Sequence, residues 1–152
     1  MSSRTLEAFA CGAFALLSAI CAEAAPMTAE PVFQSFQFGN RGQGVVQDVE
    51  ILYGGRTLPR GVMNKTFKPS EWKLLSEAEV VPIPDEATIR WTSADGQHHQ
   101  VVAPVRSFIK DAACFHGFQF VFIDDHVDIY LVQRKYDCTK ILELEHTKVY
   151  PP

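Results

Sequence analysis

The chain has 152 residues and a formal net charge of −4, from 14 Lys and Arg against 18 Asp and Glu. So even a balance gives no electrostatic reason to expect nucleic acid or an anionic membrane as partner. The length suits one domain, and 11 phenylalanines supply material for an apolar core.

The chain opens on what reads as a cleaved signal peptide over residues 1–24. Arg4 gives a positive start, Ala8 to Ile20 an apolar run, and Ala22-Glu23-Ala24 a small-x-small cleavage triplet. The run is shorter than the roughly 20 apolar residues a membrane span needs, so no membrane insertion is expected after cleavage. Cys21 is a poor lipid-anchor site, because bulky Ile20 precedes it. The expected product is a single β-rich domain over 25–152, periplasmic or secreted. Loss of Arg4, Glu7 and Glu23 with the leader would leave it at a net charge of −3.

Period-two segments follow. Val32–Phe38 reads as a strand ended by the turn-rich GNRGQG. Val45–Tyr53 reads as a second, with Val45, Val49, Ile51 and Tyr53 on one face. From Gly54 to Glu79 the pattern lapses into a long loop whose only regular part is a helix over Ser70–Glu79. There Ser70 would cap, and Trp72 and Leu75 would face the core. Val81-Pro82-Ile83-Pro84 cannot continue a helix or a central strand.

Ala87–Ser93 and a returning strand to about Val105 flank Asp95-Gly96, a strong hairpin signal. With those two residues as the turn, Trp91 would face Gln100 and Ile89 would face Val102. A second hairpin turns at Asp124-Asp125, because only a two-residue turn sets Phe122 against Val127, Phe120 against Ile129 and Phe118 against Leu131. Ile141–Tyr150 reads as the last strand.

Cys114 and Cys138 remain once the leader is gone, and a lone pair in an exported chain reads as one disulfide. The alternatives are a Cys114 nucleophile beside His116, or half a zinc site. The hairpin register puts Cys114 opposite Lys135, so pairing with Cys138 needs a bulge that Gly117 would permit.

Asp124, Asp125, His126 and Asp128 lack the glycine and closing glutamate of a calcium loop, so no metal is expected there. His98 and His99 are strand neighbours and point to opposite faces. No catalytic or cofactor-binding motif is present, and no cofactor is expected. The Gly54–Glu79 loop concentrates Arg56, Arg60, Phe67 and Lys68, of the kinds that anchor interfaces. These are the first candidate partner contacts, with Asp124 and Asp125 the second.

Val81–Ser107 (VPIPDEATIRWTSADGQHHQVVAPVRS), followed by GFQFVFIDDHVDIYL, resembles small exported bacterial proteins of unknown activity. Some of these are encoded beside type VI secretion effectors and are read as immunity proteins. The resemblance implies a protein partner, such as an incoming toxin, that is blocked by occupation. The sequence therefore predicts a mostly β domain, an antiparallel sandwich or partly open barrel of six or seven strands with one short helix. Its leading function is that of a protein-binding inhibitor. A small enzyme built on His116, His126 and Asp128, or an envelope assembly component, is the alternative.

Overall fold

A computed structural model describes residues 30–61, 65–140 and 143–151, with the backbone alone at 72–78. The leader reading therefore falls outside the described residues. Among the described residues, nine strands run in chain order: β1 (Val32–Asn40), β2 (Gln47–Tyr53), β3 (Arg56–Leu58), β4 (Trp72–Val81), β5 (Ala87–Thr92), β6 (His98–Ala103), β7 (Phe115–Ile123), β8 (His126–Arg134) and β9 (Leu144–Tyr150). One short helix, α1 (Val105–Phe108), follows β6. The strands form a five-stranded sheet, β4-β1-β7-β8-β9, and a four-stranded sheet, β3-β2-β5-β6. Both keep free edges, so the molecule is a sandwich and not a barrel.

The two sheets close on aromatic side chains. Phe36, Phe38, Phe118, Phe120 and Phe122 from the five-stranded sheet meet Val49, Ile51, Tyr53, Ile89 and Trp91 from the other, all fully or almost fully buried. Each such burial stabilises by roughly 1.5–3 kcal/mol relative to exposure. Just before β2 it is Val46, not Val45, that joins the core. Asp48 sits at φ 51° beside a break in the β2–β5 register, which shifts the alternation by one residue. Inside the core, the Tyr53 hydroxyl donates to Gln34 Oε1, and the Gln34 amide donates to Val81 O at 2.8 Å. Burial pushes the Tyr53 hydroxyl above the ordinary phenol range.

One pair is parallel, β1 with β7, where the sequence pattern predicts antiparallel pairing throughout. Between them the chain crosses to the other sheet and back twice, so no tight turn imposes an antiparallel ladder. Gly117 lies opposite Ser35 in this pair, and a Cβ there would sit 1.7 Å from Ser35 O. The close approach requires glycine.

The expected helix over Ser70–Glu79 is a strand instead. Ser70 has φ 60°, which is not the extended conformation of a helix N-cap. A turn forms there: Glu71 N–H donates to Lys68 O, and Lys68 N–H donates to Glu71 Oε2. The chain then runs out as β4 against β1, from Gly39 opposite Trp72 to Val32 opposite Val81. A ten-residue helix is marginal alone, whereas this pairing satisfies an otherwise open edge of β1. The helix the fold does contain starts after Pro104.

The β7–β8 hairpin has the expected register, with Phe122, Phe120 and Phe118 opposite Val127, Ile129 and Leu131. The β5–β6 hairpin is displaced by one residue: Trp91 opposes His99 and Ile89 opposes Val101. Gly96 N–H donates to Ser93 O, and Ser93 N–H to Gln97 O, so Ala94, Asp95 and Gly96 together make the loop. Gly96, at φ 82°, supplies the left-handed residue that follows a type I turn. A bulge at His116 lets Arg134 N–H donate to Cys114 O, and Cys114 and Cys138 lie at disulfide-bonding distance with Cα atoms 4.4 Å apart.

Candidate binding surface

Three connections meet at one end of the sandwich: the β1–β2 loop, the β5–β6 loop and the β7–β8 turn. Asp124, in the β7–β8 turn, ties the β1–β2 loop and strand β5 to it. Its positive φ of 51° is tolerated because aspartate adopts left-handed turn geometry more readily than most residues. Its Oδ1 accepts from the N–H groups of Gln43 (2.9 Å) and Gly44 (3.3 Å), and its carbonyl accepts from Trp91 Nε1 (3.2 Å). A Cβ at Gly42 would fall 2.5 Å from that same Oδ1, so the loop must pass as bare backbone. Beneath it, buried Asn40 donates to Gly44 O and Phe67 O and accepts from Gly42 N–H.

The β5–β6 loop has its own network. Ser93 Oγ is 2.6 Å from Asp95 Oδ1 and 2.8 Å from His99 Nε2. A serine hydroxyl has one proton. The Asp95 carboxyl is held below the ordinary range first by this hydroxyl and then by the Gln97 backbone, so it is the ionised acceptor. Ser93 therefore donates to Asp95, and His99 must donate its Nε2 proton to Ser93 Oγ. The pair is the reverse of a nucleophile and base, and no activated serine results. His99 also stacks on Trp91, with centroids 5.0 Å and planes 17° apart.

A cavity of about 250 Å³ opens here between Val45, Ala94, Asp95, His99 and Asp125. Asp125 stands 82% exposed, and the His126 ring 3.2 Å away is the first cause of its lowered carboxyl pKa. A neighbouring cleft of about 460 Å³ follows the outer face of the four-stranded sheet along Asp48, Arg90, Thr92, His98 and Gln100. His98 and His99 do point to opposite faces: His98 pairs with Thr92, whose hydroxyl is 3.2 Å from Asp48, while His99 lies on Trp91.

The remaining candidates are scattered. Phe67 is fully buried and is corrected from surface contact to core: an isolated bridge to Val46 sets its ring between Phe38 and Phe122. Arg60 Nη2 lies 2.7 Å from both Glu79 oxygens while remaining half exposed. Arg56 and Lys68 are exposed. Arg56 pairs with Tyr53 at the far end of β2 from Gln47, which lies beside the β5–β6 hairpin end, so Arg56 and Asp125 occupy opposite ends. The segment 54–79 is thus not one loop but β3, a bridge and most of β4.

Of the enzyme candidates, His116 lies apart from His126 and Asp128. His126 pairs with Ile123 at the tip of the β7–β8 hairpin, whereas His116 sits in the bulge at its open end. Asp128 is buried and lies 3.0 Å from Lys148 of β9, with His126 Nε2 4.0 Å away. His116 is buried with no hydrogen bond to Nδ1, and burial, Arg134 and His146 lower its pKa. Cys114, engaged with Cys138, offers no thiol. Among the described residues, Asp111, Cys114 and Cys138 alone bring three ligand-type atoms within 4.8 Å of one another, and two of those are the paired sulfurs.

No described helix is long and apolar enough to cross a membrane. Comparison with known protein families, curated proteins and solved structures finds no match.

Proposed function

We propose that this chain is an exported binding module that occupies and blocks a protein partner, in the manner of an immunity protein against a toxin. The observation that carries this reading is the braced acidic end. Asp95 and Asp125 stand exposed beside a small cavity; Ser93 holds the loop of Asp95, and Asp124 fixes the turn of Asp125 against the β1–β2 loop and Trp91. Loops fixed on a rigid sheet lose little freedom on binding, which favours affinity. Two depressed carboxyls keep this end negative across the physiological range, so the complementary partner surface is basic. Arg56, at the opposite end, and exposed Lys68 are secondary contacts.

Co-purification from the periplasm with the products of adjacent genes is the direct test. Replacing Asp125 with Lys should weaken the captured partner's binding by about 1–4 kcal/mol if it acts as a hot spot, with thermal stability little changed because Asp125 is exposed. Unchanged affinity would move the interface elsewhere. Turnover of a small substrate with no protein partner would end the inhibitor reading.

A further inference from the structure

The two sheets end in four edge strands: β4, β9, β3 and β6. An edge strand offers unpaired N–H and C=O groups to any other strand, and proteins blunt such edges with charge, proline, bulges or short length. Three of these edges are blunted. β3 has three residues and runs into Pro59. β4 carries Lys73, Glu77 and Glu79, and a bulge breaks its ladder with β1. β9 carries Glu145 and Lys148 and stops at Pro151.

β6 has none of these devices. Its sequence, HHQVVA, contains no Lys, Arg, Asp, Glu or Pro. Its register with β5 is unbroken from His98 to Ala103, and Val102 is 46% exposed on it. Among the described residues, β5 is its one strand neighbour.

We propose that β6 is a dimerisation edge, pairing antiparallel with β6 of a second copy about a twofold axis through Gln100. The strand is self-complementary in this register. Directly opposed residues share a face of a sheet, so even positions must oppose even ones. Centring on Gln100 sets His98 against Val102 of the copy and His99 against Val101, and lets the paired stretch run from Gln97 to Ala103. Moving the centre by one residue brings in either Pro104, which has no N–H, or the Gly96 turn.

Charge points the same way. The chain is acidic, so two copies repel least where neither contributes a charged side chain. Gln100 Oε1 accepts from Arg90 Nε at 2.8 Å, which leaves its amide donors for the Gln100 of the copy. A closed twofold pair is also the commonest homo-oligomer, and here it would remove the least protected edge. This inference does not depend on the acidic end or on a foreign partner.

Light scattering of the folded, disulfide-bonded protein from micromolar to submillimolar concentration tests it, and a concentration-dependent dimer is expected. Val102→Lys places a blunting charge at an exposed position and should raise the dimer dissociation constant roughly tenfold or more, with melting of the dilute monomer unchanged. Gln100→Cys should cross-link to itself under mild oxidation, because opposed Cα atoms in an antiparallel pair lie about 4.5–5.5 Å apart, within disulfide reach. Gln97→Cys, opposite Ala103 of the copy, should cross-link far less. A monomer throughout the range would overturn the proposal. So would a dimer indifferent to Val102→Lys, or cross-linking at Gln97 as efficient as at Gln100. Capture of another protein's strand on β6 of a monomeric chain would overturn it as well. Should Gln100→Cys exchange with the native disulfide, the Val102→Lys comparison still decides.

Discussion

Asp124 joins its own turn to the β1–β2 loop through one carboxylate oxygen and to Trp91 of β5 through its carbonyl. Asp124→Ala removes the acceptor for two backbone donors and a residue suited to positive φ. We expect a loss of about 1–3 kcal/mol in denaturant unfolding, with Asp124→Asn much milder because asparagine keeps both properties. Gly117→Ala should be worse. The added methyl meets backbone rather than a flexible side chain, so β1 and β7 must separate, and soluble folded protein should be lost. The Asp95 carboxyl is lowered in the folded state, so its contribution is present above the ordinary aspartate range and lost as pH falls through the lower folded value. Ser93→Ala removes the first cause, and an NMR titration should show the Asp95 carboxyl rising toward its ordinary value. His116 has the opposite charge chemistry but the same sign. Its lowered value means the unfolded chain binds more protons, so stability falls as pH drops from the ordinary histidine range to the folded value. His116→Gln should flatten that part of the stability–pH curve.

At the scale of elements, the hairpins were readable wherever a register error carried a large penalty. A slip in β7–β8 would set Phe120 and Phe122 against polar residues, and the observed pairing is the predicted one. In β5–β6 both loop lengths keep Asp95-Gly96 in the turn. The choice fell to Gly96 in the left-handed position and to the Ser93 network. Phe67 shows how an isolated bridge can carry a large apolar load. Phe67→Ala should cost roughly 3–5 kcal/mol in unfolding experiments, where a surface contact would cost almost nothing. Opening the Cys114–Cys138 link by a double Ser replacement should cost about 2–5 kcal/mol, since it closes a loop of sequence separation 24.

The whole molecule has one core shared by both sheets, so heat or denaturant should unfold them together. Far-UV and near-UV signals are expected to give coincident transitions. Separate transitions would mean that the five-stranded sheet holds without the four-stranded one. The polar ends and faces differ in character. The end at Asp125 is braced and acidic, while the outer face of the four-stranded sheet runs as a cleft toward the uncharged edge at β6.

The amino-acid sequence by itself determined the β class, the existence of the two hairpins, most of the alternating core positions and the cysteine partners. All of these follow from period-two burial, turn chemistry and near-neighbour pairing. Only the tertiary structure decided that Ser70–Glu79 extends, because the gain lies in completing the edge of β1, a strand some forty positions earlier at their Gln34–Glu79 pair. It also decided the parallel β1–β7 pair, the burial of Phe67 and the meeting of Asp124 with Gln43 and Gly44. Each joins residues far apart in the chain, and local propensity carries no record of a partner so distant.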